Sequence, residues 1–189
     1  MSQYDIITLM NKINILLTEA NGNLSDSRKM IKDAIKAAEG YAFPKLKIDW
    51  DIDILVTNRI PMIIPENGAG GYTFSADFIR INIDDKKATK NLVSENVVHE
   101  LCHAARWGKN DEWTRNLFDG IIFEGLACVF EAEFAANNEF DPYAAIMGTE
   151  SKSQKLYCEC VEYVSDIGKY LAERSEEFNK RRKEIVYGK

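Results

Sequence analysis

The two histidines of this chain, the only two among its 189 residues, lie four apart in VVHELCHAARW. No other feature restricts the fold as strongly. On a helix, residues four apart stand one turn above each other on one face. His99 and His103 therefore present two imidazoles to a common point, with Glu100 beside them. Val97, Val98, Leu101, Ala104 and Ala105 make the rest of the segment apolar, so it is expected to be a core helix. Imidazole and carboxylate groups in such a helix need partners. The fold must bring a second element carrying polar groups against this one.

The pattern is the HExxH arrangement, in which two histidines bind zinc and the glutamate serves as general base toward a water. A catalytic zinc takes three protein ligands and keeps one position open. With no third histidine, the third ligand is expected to be a carboxylate. The following segment, NLFDGIIFEGLACVFEAEF, reads as a helix of about 114–137 and places Glu124 among apolar neighbours. Small residues one turn to either side, Gly120 and Cys128, allow it to lie close to the first helix. Twenty residues between His103 and Glu124 give the chain room to turn back. Glu131, Glu133 and Asp119 are the competing carboxylates. Glu131 lies seven residues from Glu124 on the same face, where it can orient a histidine from behind.

Upstream, a helix is expected over about Ser2–Ala20, from the spacing of Ile6, Leu9, Met10, Ile13, Leu16 and Leu17. A second helix is expected from a Ser25 or Asp26 cap to Glu39, with Gly40 as its stop. Ile48–Val56 alternates apolar and acidic residues like a half-buried strand. Arg59–Gly71, with its prolines and glycines, reads as a loop. Tyr72–Phe74 and Ile79–Ile83 read as strands joined by a hairpin turn at Ser75–Asp77. Beyond Asp141-Pro142, two more helices are expected at about 152–172 and 173–186. The fold class is α+β: a small antiparallel sheet with N-terminal helices, then a helical half that carries the active-site helix. One domain spans 1–189, with an N-terminal α/β part to residue 90 and a helical part from 91.

Hydrophobic residues make up 46% of the chain, enough for one core. A net charge of −6 gives no basic footprint for nucleic acid. The KRRK stretch at 180–183 is balanced by Glu176 and Glu177 at helical i,i+4 spacing. No apolar run is long enough to span a membrane. The four cysteines form no CxxC pair and read as free thiols; with no targeting segment visible, a cytoplasmic location is expected.

HELCHAARW followed by IIFEGLACVFE resembles a bacterial family of zinc-dependent proteases. It is similar more broadly to gluzincins, where a glutamate ligand follows HExxH on the next helix. The resemblance is strongest over about residues 70–135. It implies a minimal, zincin-like gluzincin fold, with Zn2+ on His99, His103 and Glu124, Glu100 as base, and a peptide or protein as substrate. It also implies that an edge strand pairs with extended substrate; the matching residues are Gly71, Tyr72, Thr73 and Phe74. Its C-terminal tyrosine is matched best by Tyr163, although the spacing to Gly168 departs from the pattern. Tyr157 and Arg106 are the other candidates to stabilise an oxyanion. Two further readings use the same ligands: a hydrolase of a non-peptide amide, and a regulatory protein that holds zinc and cleaves nothing. The intact Glu100 argues against the second, since a structural site needs no base.

Overall fold

The computed structural model describes residues 12–18, 24–58, 63, 68–107 and 117–142. Its elements in chain order are β1 (Ile13–Leu17), α1 (Arg28–Leu46), β2 (Ile52–Thr57), β3 (Ala69–Ser75), β4 (Phe78–Ile83), α2 (Lys90–Arg106) and α3 (Leu117–Asn137). The four strands form one sheet in the order β1-β2-β4-β3. β1 runs parallel to β2 and β2 parallel to β4, while β3 returns antiparallel along β4. The fold is α+β as expected, but the sheet is mixed rather than antiparallel.

Two pairings make it mixed, β1 with β2 and β2 with β4. Residues 13–17 were expected within a helix and form a strand instead. Ile13, Ile15 and Leu17 satisfy a period of two, while Ile13, Leu16 and Leu17 fit a helical face; the first three pack against the core and Leu16 is exposed. Pairing with β2 decides between the two periods. Asn14 adds a side-chain bond to Asp53 across the pair, 3.0 Å long. Antiparallel neighbours need only a tight turn, but parallel strands need a crossover. α1 is the element that lies between β1 and β2.

α1 buries Ile31, Ala34, Ile35, Ala38 and Ala42, the i, i+3, i+4 spacing of an amphipathic helix. It starts after Ser27 and runs through Gly40, the residue expected to end it. A helical glycine costs only about 1 kcal/mol relative to alanine, and Ala42 beyond it still has core to bury. The helix stops where Pro44 removes a donor from the last turn and Lys47 takes a left-handed conformation, φ 54°. The following strand begins later than expected, at Ile52, although Ile48 remains in the core.

In β2 and β4, Ile52, Ile54, Val56, Ile79, Ile81 and Ile83 point into one core. Each such side chain contributes about 1.5–3 kcal/mol on burial. The hairpin turn falls at Ala76-Asp77, and the register slips between Thr73 and Ser75. That slip accounts for the change in apolar parity seen in the sequence. α2 is capped by Thr89, whose hydroxyl accepts from the Leu92 N–H at 3.3 Å. It packs against α1, β3, β4 and α3, and Val93, Val97, Leu101 and Ala104 along it are fully buried. Most of α2 is thus buried against other elements. The helices expected at 152–172 and 173–186 lie outside the described residues, as does the first part of the expected N-terminal helix. Among the described residues, no helix is long and apolar enough to cross a membrane.

Candidate metal centre

The spacing of the two histidines has the expected consequence. His99 and His103 stand on one face of α2 with their Nε2 atoms 3.0 Å apart. The rings meet nearly edge-on, at 78°. α3 lies against this face and supplies Glu124, which is buried. Its Oε2 is 3.3 Å from His99 Nε2 and 3.5 Å from His103 Nε2. Three donors from two helices thus converge on one point. Bonds of about 2.0–2.1 Å in a tetrahedral shell set neighbouring zinc ligands about 3.3 Å apart, and the three separations bracket that value.

A second carboxylate stands behind the first. Glu131, one of the competitors for third ligand, is also buried and lies 2.7 Å from the other ring nitrogen of His99, Nδ1. Histidine ligands commonly donate their second N–H to a carboxylate in this way, which fixes the tautomer and aims the other nitrogen. Cys128, one turn beyond Glu124, places its sulfur close to the same ring. Two donor trios can therefore be drawn: His99, His103 and Glu124, and His99, Cys128 and Glu131. The second trio has Glu131 at hydrogen-bond distance from the nitrogen it needs. The first has three evenly spaced donors that include both Nε2 atoms, at separations a tetrahedral zinc shell accommodates. Glu133 was the other competitor on α3, and its side chain is exposed.

The electrostatics favour a cation at this point. Burial works to lower the pKa of His99, but the charge of Glu131 and the contacts with Cys128, Glu124 and Glu131 outweigh it and hold the ring well above its ordinary value. Burial works to raise the pKa of Glu124. The hydrogen bonds of His103 and His99 and their charge outweigh that in turn and hold its carboxyl far below the usual range. Both shifts favour a proton on His99 facing the buried carboxylates. A divalent ion can replace that proton and answer the same carboxylates.

Glu100 faces β3. It is 6% exposed, and burial pushes its carboxyl above the ordinary value, only partly countered by His99, His103 and the Thr73 hydroxyl. Thr73 donates to Oε2 across 2.7 Å. At Gly71 a Cβ would lie 2.4 Å from Glu100 Cγ, so no side chain fits there. Thr73 is itself buried, at 5% exposed, and its side chain is turned to Glu100 rather than to a substrate. Tyr72 and Phe74 stack edge-on, 4.8 Å apart, and Arg80 stands over the Phe74 ring.

Three features of the site escaped the sequence reading. Phe123 lies flat on the His103 ring, 4.0 Å between centroids and 10° between planes. The contact of Thr73 with Glu100 spans 27 residues. Cys128 was read only as a small spacer. A helix-facing position in an edge strand next to an HExxH helix was the one available signal for Thr73. Tyr163 and Tyr157 lie outside the described residues. Arg106 is half-buried in the last turn of α2.

No curated protein and no solved structure matches the chain. A protein family does match, over residues 28–174. That span takes in all of α1 to α3 and every residue of the site just described. The chain belongs to the family described as "Predicted Zn-dependent protease (DUF2268)".

Proposed function

We propose that this chain is a zinc-dependent peptidase that uses His99, His103 and Glu124 as metal ligands and Glu100 as general base. The observation that carries the reading is the convergence of two imidazoles and a buried carboxylate, 3.0–3.5 Å apart, beside a buried glutamate that binds none of them. The family description supports zinc and proteolysis together. Zinc, when bound, supplies a Lewis acid that polarises the scissile carbonyl and makes water acidic near neutral pH. The chain's own groups do the rest. Glu131 holds His99 in the tautomer that offers Nε2. Phe123 and the apolar face of α3 keep the His103 ring from turning. Glu100, its pKa raised by burial, accepts a proton from the attacking water and returns it to the departing amine.

Substrate fits along β3, the edge strand of the sheet, by strand addition. Gly71, Tyr72, Thr73 and Phe74 then act through their backbone, with Tyr72 and Phe74 turned away from the Glu100 side of the strand. Tyr163 is carried forward as the group that steadies the oxyanion.

The test is hydrolysis of a mixed peptide library by the purified chain, with and without a metal chelator, beside Glu100→Gln. Chelator-sensitive cleavage that the substitution abolishes is expected. Cleavage that survives both overturns the reading. Amide hydrolysis confined to non-peptide substrates favours the alternative hydrolase, and bound zinc with no hydrolysis at all favours the regulatory alternative.

A further inference from the structure

Two alternate residues of β3 face α2 at the level of Glu100, as the pleat of a strand requires of positions 71 and 73. Gly71 offers empty space, and the Glu100 Cγ, Cδ and Oε1 atoms lie where its Cβ would be. Thr73 offers a hydroxyl, 2.7 Å from Glu100 Oε2 and 3.0 Å from the Glu100 backbone carbonyl. A hydroxyl carries one proton and donates to one acceptor at a time. The carboxylate is the stronger acceptor, because a charged partner roughly doubles the bond. The helix ladder already bonds carbonyls such as that of Glu100, so the hydroxyl adds little there. Thr73 thus holds one oxygen of the carboxylate, and the strand leaves room for the other.

We propose that Thr73 is a positioning residue for Glu100, a role that rests on the general-base reading of Glu100. Its hydroxyl fixes Oε2 and thereby the plane of the carboxyl group. Oε1 is left as the working oxygen. An O–H bond of the attacking water breaks as an O–H bond forms at Oε1, and the same proton later passes to the amine nitrogen as the peptide C–N bond breaks. Oε2 accepts from Thr73 before and after each transfer, so the clamp holds through the cycle. Thr73 touches neither substrate nor metal in this scheme, and it acts only through Glu100.

Thr73→Val keeps the shape and deletes the donor, and Thr73→Ser keeps the donor and deletes the methyl. The zinc-loaded Val variant is expected to retain its zinc and its KM while kcat falls about 10–100-fold, the size of one hydrogen bond to a charged group. The Ser variant is expected to recover most of that loss. A Val variant with wild-type kcat overturns the proposal, and so does a Ser variant as slow as Val, which assigns the residue to packing. A second readout needs no activity. In metal-free protein, the shifts in urea midpoint caused by Thr73→Val and Glu100→Ala are expected not to add in the double variant. Additive shifts overturn the coupling. If the wild type cleaves no peptide while the shifts fail to add, the peptidase reading falls and the Thr73–Glu100 coupling stands.

Discussion

Gly71→Ala is the smallest change that reaches the proposed base without touching a ligand. The added Cβ would sit 2.4 Å from Glu100 Cγ, 2.5 Å from Oε1 and 2.7 Å from Cδ. Ordinary van der Waals contact begins near 3.4 Å, so the carboxyl group must retreat by about 1 Å. It has little freedom to do so, since Thr73 holds Oε2 and Glu100 is buried among α2, α3 and β3. A displacement of about 1 Å at a reacting group costs on the order of 100-fold in rate. The overpacking itself costs about 1–3 kcal/mol of stability, which lowers Tm by roughly 2–12 °C in a domain of this size. The proposed zinc ligands lie on α2 and α3 and are expected to stay in place. The assay is kcat/KM on a cleaved peptide, with zinc per chain and Tm measured on the same sample. The expected result is full zinc, a modest Tm loss and an activity loss near 100-fold. Full activity with full zinc would refute the packing of Glu100 against β3 and with it the reasoning above.

Removing the two carboxylates of α3 is expected to separate their roles. Glu124→Ala deletes an anionic donor and is expected to empty the site, whereas Glu131→Ala is expected to weaken zinc or activity by about 10–100-fold; zinc titration of both variants checks the order. The metal-free protein is expected to lose stability as pH rises from about 6.5, the ordinary histidine value, through the raised value of His99. The sign follows because a proton held more tightly in the folded state stabilises it below both values, and that contribution disappears above the folded one. Glu124, shifted downward, acts oppositely: its contribution is full above the ordinary carboxylate value and is lost progressively as pH falls below it. Thermal melts against pH, with and without Glu131→Ala, test this; a flat profile from pH 6 to 9 contradicts it.

The site was more legible than the fold. His99, Glu100, His103 and Glu124 are local features of two long, strongly periodic segments, and a polar residue in an apolar helix announces itself. The four-residue spacing needs only the helix to be helical. The N-terminal strand was not legible for the opposite reason. Ile13, Leu16 and Leu17 share a helical face while Ile13, Ile15 and Leu17 share a strand face, and only pairing with β2, thirty-nine residues away in register, selects the strand. The parallel β1–β2 pairing follows from that choice, whereas the parallel β2–β4 pairing does not depend on it. Gly40 misled because an exposed glycine with nothing near its missing Cβ can be carried inside a helix whose other face is buried. The contacts of Thr73 and Phe123 were hidden because each depends on how one element leans on another. Phe123 reads as an ordinary core residue until α3 is laid against α2, where it stacks on His103.

The most direct test is X-ray absorption at the zinc edge on protein loaded with one equivalent of metal. A zinc on His99, His103 and Glu124 is expected to give a first shell of nitrogen and oxygen only, at about 2.0–2.1 Å, with the outer-shell signature of two imidazoles. Loss of one light donor in Glu124→Ala would accompany it. A sulfur scatterer at about 2.3 Å would contradict the account, because none of the three proposed ligands carries sulfur.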